Sequence, residues 1–274
     1  MSKVSLSNLE NMGRLLENDR NRDIGSFVAL GDSFTEGLND LGPDGTYIGW
    51  ADRVASVLAA KTPVFRYANL AVRGKLLHHV IDEQIAPAIA MTPDLVSIAA
   101  GGNDLLRRAD VDDLADLFDA GVSRLRDAGC EVMIFTGFDP RTLPVIRMLR
   151  GRIAAYNMHL RAIADERDCY LVDLWSMRVL RDARAWSADR LHLTTEGHSR
   201  VALRALDVLG VAAEGDWRVP LPTAGDMNPN WFAARRADAR WAREYAFPWL
   251  SRRLRHTSTG DSVPPKRPEL LPVP

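Results

Sequence analysis

Short apolar runs alternate with longer stretches of helical spacing between residues 27 and 209. The apolar runs predict five strands, at residues 27–30, 64–71, 95–100, 131–135 and 170–174. Apolar positions three and four residues apart predict helices at residues 48–60, 76–90, 111–128, 143–167 and 195–209. Each helix is long enough to return the chain to the next parallel strand, so we predict an α/β fold with a five-stranded parallel sheet. Right-handed crossovers then bring the carboxyl ends of the strands to one edge, where open sheets of this class bind ligands.

The pattern changes after residue 210, where prolines interrupt the chain. Asn228 and Pro229 resemble an N-cap and a first helical position, which predicts a helix over residues 229–246. Residues 257–274 are polar and rich in proline, which is typical of disorder. The predicted organisation is a polar N-terminal extension (1–24), an α/β domain (25–210), a basic and aromatic helical extension (211–256) and a disordered tail (257–274).

The composition is that of a globular protein. Of 274 residues, 46% are hydrophobic and 26% charged, with a formal net charge of -1, which excludes wholesale disorder, collagen-like repeats and a disulfide scaffold. No stretch approaches the roughly 20 apolar residues of a membrane helix, and the N-terminus lacks the apolar core of a secretion signal, so we predict a cytoplasmic location. Cys130 and Cys169 are therefore interpreted as reduced thiols in the core rather than as a disulfide.

The segment from Trp231 to His256 combines seven arginines and two acids with interleaved aromatic residues. Such a helix can pack on the core with its arginines solvated, lie on a membrane surface or contact nucleic acid. Packing is the favoured interpretation. Membrane-surface contact is the alternative, and no nucleic-acid partner is expected.

A serine at the end of the first predicted strand is a candidate nucleophile. Ser33 follows the apolar run through Gly31 and Asp32, which places it at the carboxyl edge of the sheet, where N–H groups of the following turn can face an oxyanion. A helix cap or a turn is the alternative role for this serine. The same tripeptide recurs at residues 260–262 without a preceding strand, so we reject Ser262 as a nucleophile.

A serine nucleophile needs a base and a group that orients the base. Of the six histidines, only His192 has an aspartate three residues before it, Asp189. That spacing allows the carboxylate to reach Nδ1 of His192 and leaves Nε2 free to take a proton. The alternatives are a local cap for Asp189 and a packed histidine.

Two further strand ends offer donors for an oxyanion. Asn103 follows two glycines after the third predicted strand, and its amide can point to the same sheet edge. The backbone N–H of Gly74, just after the second strand, could complete the oxyanion hole together with that of Ser33. Both positions also suit ordinary turns.

The long loop after the nucleophile is the predicted substrate-binding region, because loops over the carboxyl edge usually shape the ligand site. Its apolar and aromatic members, together with one tryptophan close to His192, are candidate contacts for the acyl or alcohol group: Leu38, Leu41, Tyr47, Trp50 and Trp186. Packing of the aromatic rings onto the loop is the alternative. The adjacent pair His78 and His79 does not have metal-ligand spacing, no phosphate-binding motif occurs, and no cofactor is expected.

These blocks together resemble the SGNH, or GDSL-type, hydrolases, whose signature order is GDS, a glycine block, GxND and DxxH. Here they are residues 31–33, Gly74, residues 101–104 and residues 189–192, and the resemblance covers about residues 27–209. The sequence departs from the family pattern at Phe34, where leucine is usual, and at Ala71, where many members carry glycine. Ala71 lies in the glycine block, and the oxyanion role of Gly74 depends on the match to that block.

The resemblance implies a flavodoxin-like three-layer α/β sandwich that hydrolyses a carboxylic ester of a small alcohol, lipid or sugar. It implies Ser33 as nucleophile, His192 as base and Asp189 as its orienter, with Ser33, Gly74 and Asn103 as the oxyanion hole. An acyltransferase that uses the same acyl-enzyme is the alternative activity. A binding module without catalysis, working through its basic C-terminal helix, is an alternative of another class.

Overall fold

The sheet has the predicted parallel core and one additional strand. The computed structural model describes residues 24–107, 109–143, 146–222, 260 and 262–273; the predicted helix over 229–246, the basic segment around it and residues 1–23 lie outside these ranges. The strands are β1 Ser26–Gly31, β2 Arg66–Asn69, β3 Leu95–Ala99, β4 Glu131–Phe135, β5 Tyr170–Val172 and β6 Arg267–Pro272. Their order is β5-β4-β3-β1-β2-β6, in which the first five strands are parallel and β6 is antiparallel to β2. The order β2-β1-β3-β4-β5 is the flavodoxin-like one, so the predicted fold class is confirmed.

Helices follow the strands as predicted, with local differences. They are α1 Ser33–Glu36, α2 Trp50–Ala59, α3 Leu77–Val80, α4 Ala86–Ala90, α5 Gly102–Leu106, α6 Val111–Asp127, α7 Arg150–Glu166 and α8 Thr195–Val208. A π-helical turn, Ile81–Ile85, joins α3 to α4, and a 3-10 turn, Ile146–Leu149, leads into α7. The short helices α1 and α5 at the strand ends were not predicted, because four or five residues carry no helical period.

Helix α6 shows how the sequence forms these elements. The Asp110 side chain caps the helix by accepting hydrogen bonds from the amides of its first turn. Leu114, Phe118, Val122 and Leu125 then form a buried stripe at helical spacing. Helix α6 packs on α7 and α3, and α2 packs on α8. Strands β1 and β3 are buried along their whole length between these layers, which gives the three-layer sandwich.

The prediction of a disordered tail over residues 257–274 is wrong for residues 262–273. Strand β6 pairs with β2 so that Leu271 lies opposite Tyr67, and Arg267 Nε donates to the Tyr67 carbonyl at 2.8 Å. An edge strand is bonded on one side only, so prolines, which lack an N–H, are tolerated there. Composition suggested disorder because the segment has little apolar surface, whereas hydrogen bonds and buried charge hold it to the sheet. The sheet therefore has six strands rather than five.

No helix in the described part of the chain is long and apolar enough to span a bilayer. Cys130 is a buried free thiol, and Cys169 is a free thiol that is only half-buried.

Candidate active site

The site lies where strand order reverses. Strands β1 and β3 are neighbours, and Gly31 at the end of β1 is paired with Ala99 at the end of β3. The chain leaves these strands into α1 and α5, which begin at Ser33 and Gly102. A crevice opens between such diverging connections, and ligands of open α/β sheets bind in it. Residues that are some 70 positions apart in the chain therefore share one cavity.

The turn that carries Ser33 is fixed from three sides. Gly31 has φ 147°, and a Cβ there would lie 2.5 Å from the Ala99 carbonyl oxygen, so only glycine fits. Asp32 caps α1 by accepting from Phe34 N at 3.0 Å. The buried amide of Gln84 accepts from Gly31 N at 2.8 Å and donates to Gly31 O at 2.9 Å. The backbone two residues before Ser33 is thereby clamped.

Gln84 was missed by the sequence analysis. It belongs to the π-helical turn Ile81–Ile85, and such turns occur frequently at functional sites. A single glutamine within an amphipathic pattern has no sequence signal of its own. Only the packing of this turn against the end of β1 shows what its amide does.

Ser33, His192 and Asp189 form a continuous hydrogen-bond chain. Ser33 Oγ lies 2.9 Å from His192 Nε2, and His192 Nδ1 lies 2.7 Å from Asp189 Oδ2. The histidine and aspartate side chains are largely buried, with 21% and 15% of their surfaces exposed. The structure thus brings together the three residues predicted as nucleophile, base and orienter.

Asp189 is held in its ionised form. Burial would raise its pKa, but hydrogen bonds from His192 and Ser187 and the field of His192 hold the pKa well below the usual range. The backbone amides of Leu191 and His192 donate to Oδ1 at 2.9 and 3.0 Å. Ser187 Oγ donates to Oδ1 at 2.6 Å, and Asn39 Nδ2 donates to Oδ2 at 2.7 Å. An ionised carboxylate in this position keeps the Nδ1–H tautomer of His192 and leaves Nε2 as the acceptor.

Asn39 and Ser187 are further residues that sequence reasoning missed. Asn39 has φ 73° in the loop after α1, and its amide bridges Ser187 Oγ and the Asp189 carboxylate across the site. The only local signal was an asparagine in a loop, which tolerates positive φ. The loop after the nucleophile therefore supports the acid of the hydrogen-bond chain.

The three predicted oxyanion donors line the same cavity, which includes Ser33, Gly74 and Asn103. Gly74 lies in the loop after β2 with φ 74°. Asn103 Nδ2 donates to Asp32 Oδ2 and to the Lys75 carbonyl, both at 3.0 Å. An amide nitrogen has two hydrogens, so Asn103 must exchange one of these bonds to donate to a substrate oxygen.

Asp32 is the unusual carboxyl group of the site. Burial raises its pKa to about 6, and the hydrogen bond from Phe34 N and the field of His192 offset this only in part. An aspartate whose folded pKa exceeds its unfolded value, about 3.9, binds its proton more tightly in the folded state. Raising the pH from about 4 to about 6 therefore lowers the free energy of unfolding.

Asp32→Asn should remove this pH-dependent loss. We expect the free energy of unfolding of the variant, relative to the parent protein, to increase by roughly 2 to 3 kcal/mol between pH 4 and pH 7, since one pKa unit corresponds to about 1.4 kcal/mol. Denaturant titrations at the two pH values measure it. Asp216→Asn, at an exposed turn, is the control and should give no such change. Parallel profiles for Asp32→Asn and the parent would contradict the assignment.

Two of the five predicted substrate contacts, Leu38 and Trp186, line the cavity. The Trp186 ring packs on Phe138, with centroids 4.2 Å apart, and its Nε1 donates to the Leu180 carbonyl at 2.8 Å. This tryptophan is therefore a fixed wall of the cavity beside His192.

The other three predicted contacts do not line this cavity. Leu41 is exposed and forms an isolated β-bridge with Tyr47, whose ring lies under the Arg73 guanidinium at 4.9 Å. Trp50 is fully buried, and its ring centroid lies 4.4 Å from that of Phe135. The prediction that Trp50 contacts substrate is wrong, because the first residue of α2 points into the core under the sheet edge.

The cavity that includes Ser33 has a group of apolar side chains in its lining, here called its apolar end. The volume of the cavity is about 630 Å³. The apolar end is formed by α5, α7 and the 3-10 turns after β5, with the side chains of Leu105, Ile153, Tyr156, Leu160, Leu174 and Leu180. The sequence predicts a helix over the region of α7 but not its part in this lining, because a cavity wall and a core face share the same helical period.

Within the described ranges, no three His, Cys, Asp or Glu side chains are grouped so that they could hold a metal ion. The His78 and His79 rings lie against each other, with centroids 3.9 Å apart.

Comparison with known proteins identifies the family and the fold of the chain. The model of the GDSL-like lipase/acylhydrolase family matches residues 29–200. No curated protein matches the chain significantly. Among solved structures, a variant of an acetyl xylan esterase from Geobacillus stearothermophilus is 22% identical with a TM-score of 0.58, covering 71% of this chain and 100% of its own. A protein described as a GDSL-like lipase from Parabacteroides merdae is 18% identical with a TM-score of 0.59, covering 68% of this chain and 95% of its own.

An α/β hydrolase from the metagenome of Lake Arreo, Spain, is 20% identical with a TM-score of 0.57, covering 68% of this chain and 95% of its own. At such identities the structural similarity shows the fold. The family model itself spans more than half of the chain and includes the positions of Ser33, Asn103 and His192. The chain therefore belongs to the GDSL-like lipase/acylhydrolase family of ester hydrolases.

Proposed function

We propose that the protein hydrolyses carboxylic esters with an apolar acyl chain, using Ser33 as nucleophile, His192 as general base and Asp189 as orienter. The observation that carries the proposal is the unbroken hydrogen-bond chain from Ser33 Oγ to the Asp189 carboxylate, at 2.9 and 2.7 Å. A serine hydroxyl becomes an effective nucleophile when a base accepts its proton, and the base is effective when a third group fixes its tautomer.

In the proposed reaction, Ser33 Oγ attacks the ester carbonyl carbon while its proton passes to His192 Nε2. The oxyanion that forms is faced by the backbone amides of Ser33 and Gly74 and by the Asn103 amide. The His192 imidazolium, stabilised by the Asp189 carboxylate, then protonates the leaving alkoxide, and the C–O bond breaks. Water hydrolyses the resulting acyl-enzyme by the same steps, with His192 again as base.

The apolar end of the cavity supports the choice of acyl group. The names of two structural neighbours refer to the acetyl group, which has two carbons. The cavity here, about 630 Å³, lies within the roughly 300 to 1,000 Å³ of sites that enclose a whole small molecule. Its lining includes apolar side chains from α5, α7 and the turns after β5, in addition to Ser33 and His192. A straight acyl chain of medium length buries apolar surface there and gains about 0.8 kcal/mol per methylene.

A panel of p-nitrophenyl esters tests this assignment. We expect kcat/KM to increase up to about fourfold with each added methylene from acetate onward, until the cavity is filled. Ile153→Phe, which adds volume to the cavity wall, should move the optimum to shorter chains and leave kcat/KM for the acetate ester within about twofold.

Met158→Phe is the matched control, because Met158 lies on the same helix, α7, and is 65% exposed. Its chain-length profile should follow that of the parent protein. A parent profile that peaks at acetate and declines with each added carbon would refute the acyl-chain assignment while leaving the hydrolase itself in place.

A further inference from the structure

We propose that Lys266, in the segment leading into β6, is a positioning residue that fixes the end of the nucleophile helix, where the Glu36 side chain binds the loop that carries the oxyanion amide. The inference rests on the proposed function, because it assigns Lys266 an effect on the step catalysed by Ser33. The C-terminal segment would then affect turnover although it lies far from Ser33 in the sequence.

The Lys266 ammonium group is bound by three acceptors. It donates to the Glu36 carbonyl at 2.6 Å, to the Tyr47 carbonyl at 3.0 Å and to Asp52 Oδ2 at 2.6 Å, and its side chain is 18% exposed. An ammonium has three hydrogens, so all of them are used. Glu36 is the last residue of α1, the helix that begins at Ser33. Lys266 therefore ties the end of the nucleophile helix to the loop before α2 and to α2 itself.

Glu36 carries this connection onward to the oxyanion loop. Its side chain is 4% exposed, and its carboxylate accepts from the backbone amide of Arg73 at 2.8 Å and from Arg73 Nε at 3.0 Å. Arg73 immediately precedes Gly74, and its guanidinium lies over the Tyr47 ring. The position of the Gly74 amide thus depends on Glu36, whose carbonyl is bound by Lys266.

A second contact joins the C-terminal segment to the same loop. Gly260 packs so closely on the loop that a Cβ at this position would lie 2.0 Å from the Arg73 carbonyl oxygen. Gly260 therefore contacts the loop before Gly74 directly, whereas Lys266 is connected to that loop through Glu36. Strand β6 anchors that segment to the edge of the sheet.

This arrangement predicts an effect on kcat rather than on substrate binding. The apolar end of the cavity is built from α5, α7 and the turns after β5, none of which contacts Lys266 through a hydrogen bond or ion pair described above. Displacing the Gly74 amide or Ser33 by even about 1 Å weakens transition-state stabilisation and can cost about 100-fold in rate. A loss confined to the transition state lowers kcat and leaves KM unchanged.

The test compares Lys266→Met with Lys61→Met in the full chain. Lys61 is exposed at the end of α2 and provides a matched control. For Lys266→Met, we expect kcat on the preferred ester to fall 10- to 100-fold with KM within about threefold. The rate at which a fluorophosphonate labels Ser33 should fall by the same factor, because the probe needs the same nucleophile and oxyanion hole. Lys61→Met should match the parent protein in all three measurements.

Glu36→Gln supplies a second arm that leaves Lys266 and β6 in place. It weakens the bond to the Arg73 amide and should reproduce the kcat loss with KM unchanged. Normal kcat and labelling rates in folded Lys266→Met, with only a lower melting temperature, would overturn the proposal; if Lys266→Met does not fold, a normal kcat in Glu36→Gln overturns it. A parent protein that is neither labelled nor active on any ester would instead refute the proposed function.

Discussion

Ser33→Ala should abolish ester hydrolysis, with kcat falling by roughly 10⁴- to 10⁶-fold. The hydroxyl is the group that attacks the carbonyl, and removing the nucleophile of a serine hydrolase removes the covalent route altogether. In the described part of the chain, the only hydrogen bond of the Ser33 hydroxyl is to His192 Nε2, so its removal should leave the fold unaffected. Steady-state assays on the preferred ester and a thermal melt measure the two effects separately.

Ser262→Ala is the control for this experiment. Ser262 ends the second copy of the same tripeptide and is exposed before β6. We expect parent values of kcat, KM and melting temperature for this variant. Purified Ser33→Ala that retained substantial turnover would exclude Ser33 as the nucleophile.

Asp189→Asn should lower kcat by up to about 10⁴-fold. An asparagine cannot serve as the charged acceptor for the Nδ1–H of His192, and it favours the tautomer that presents a hydrogen rather than a lone pair to Ser33. The pKa of Asp189 lies well below its usual range, so the carboxylate stays ionised through mildly acidic pH. Protonation of Asp189 should therefore contribute no loss of activity in the parent protein between pH 5 and pH 9.

The alternative role of Asp189 as a local cap predicts a different result. A lost cap costs about 1 kcal/mol of stability and leaves turnover nearly normal. Measuring kcat/KM from pH 5 to 9 together with the melting temperature separates the two roles. Asp216→Asn, at an exposed turn, is the control and should leave the rate unchanged. A near-normal rate in a less stable Asp189→Asn protein would remove Asp189 from the reaction.

The sequence alone determined the parallel sheet and the residues at its carboxyl edge. Buried parallel strands appear as continuous apolar runs, and their crossover helices appear as apolar positions at helical spacing, so both are local signals. Asp189 and His192 are three residues apart, and Ser33 and Asn103 stand directly at strand ends. Each of these relations is contained within one turn of chain or one strand end, and the topology of an α/β fold brings the pieces together.

Only the tertiary structure decided how that edge is supported and what the loop residues do. The amide of Gln84 reaches Gly31 across 53 residues, that of Asn39 reaches Asp189 across 150, and Lys266 reaches Glu36 across 230. No period or motif signals such a contact, because a polar side chain has the same local pattern whether it faces water or a buried partner. Trp50 illustrates the same limit for apolar residues, because the sequence pattern of an aromatic residue after a loop is the same whether its ring lines a cavity or packs in the core.

The C-terminal strand is the clearest case of a decision made by tertiary structure. A polar segment rich in proline has too little apolar surface to fold by itself, and its composition correctly reports that fact. Pairing with the free edge of β2 supplies hydrogen bonds that the segment lacks alone, and the acceptors around Lys266 supply a partner for its charge. The edge of β2 and the acceptors of Lys266 come together only when the rest of the sheet has formed. The strand conformation of this segment therefore cannot be predicted from its own residues.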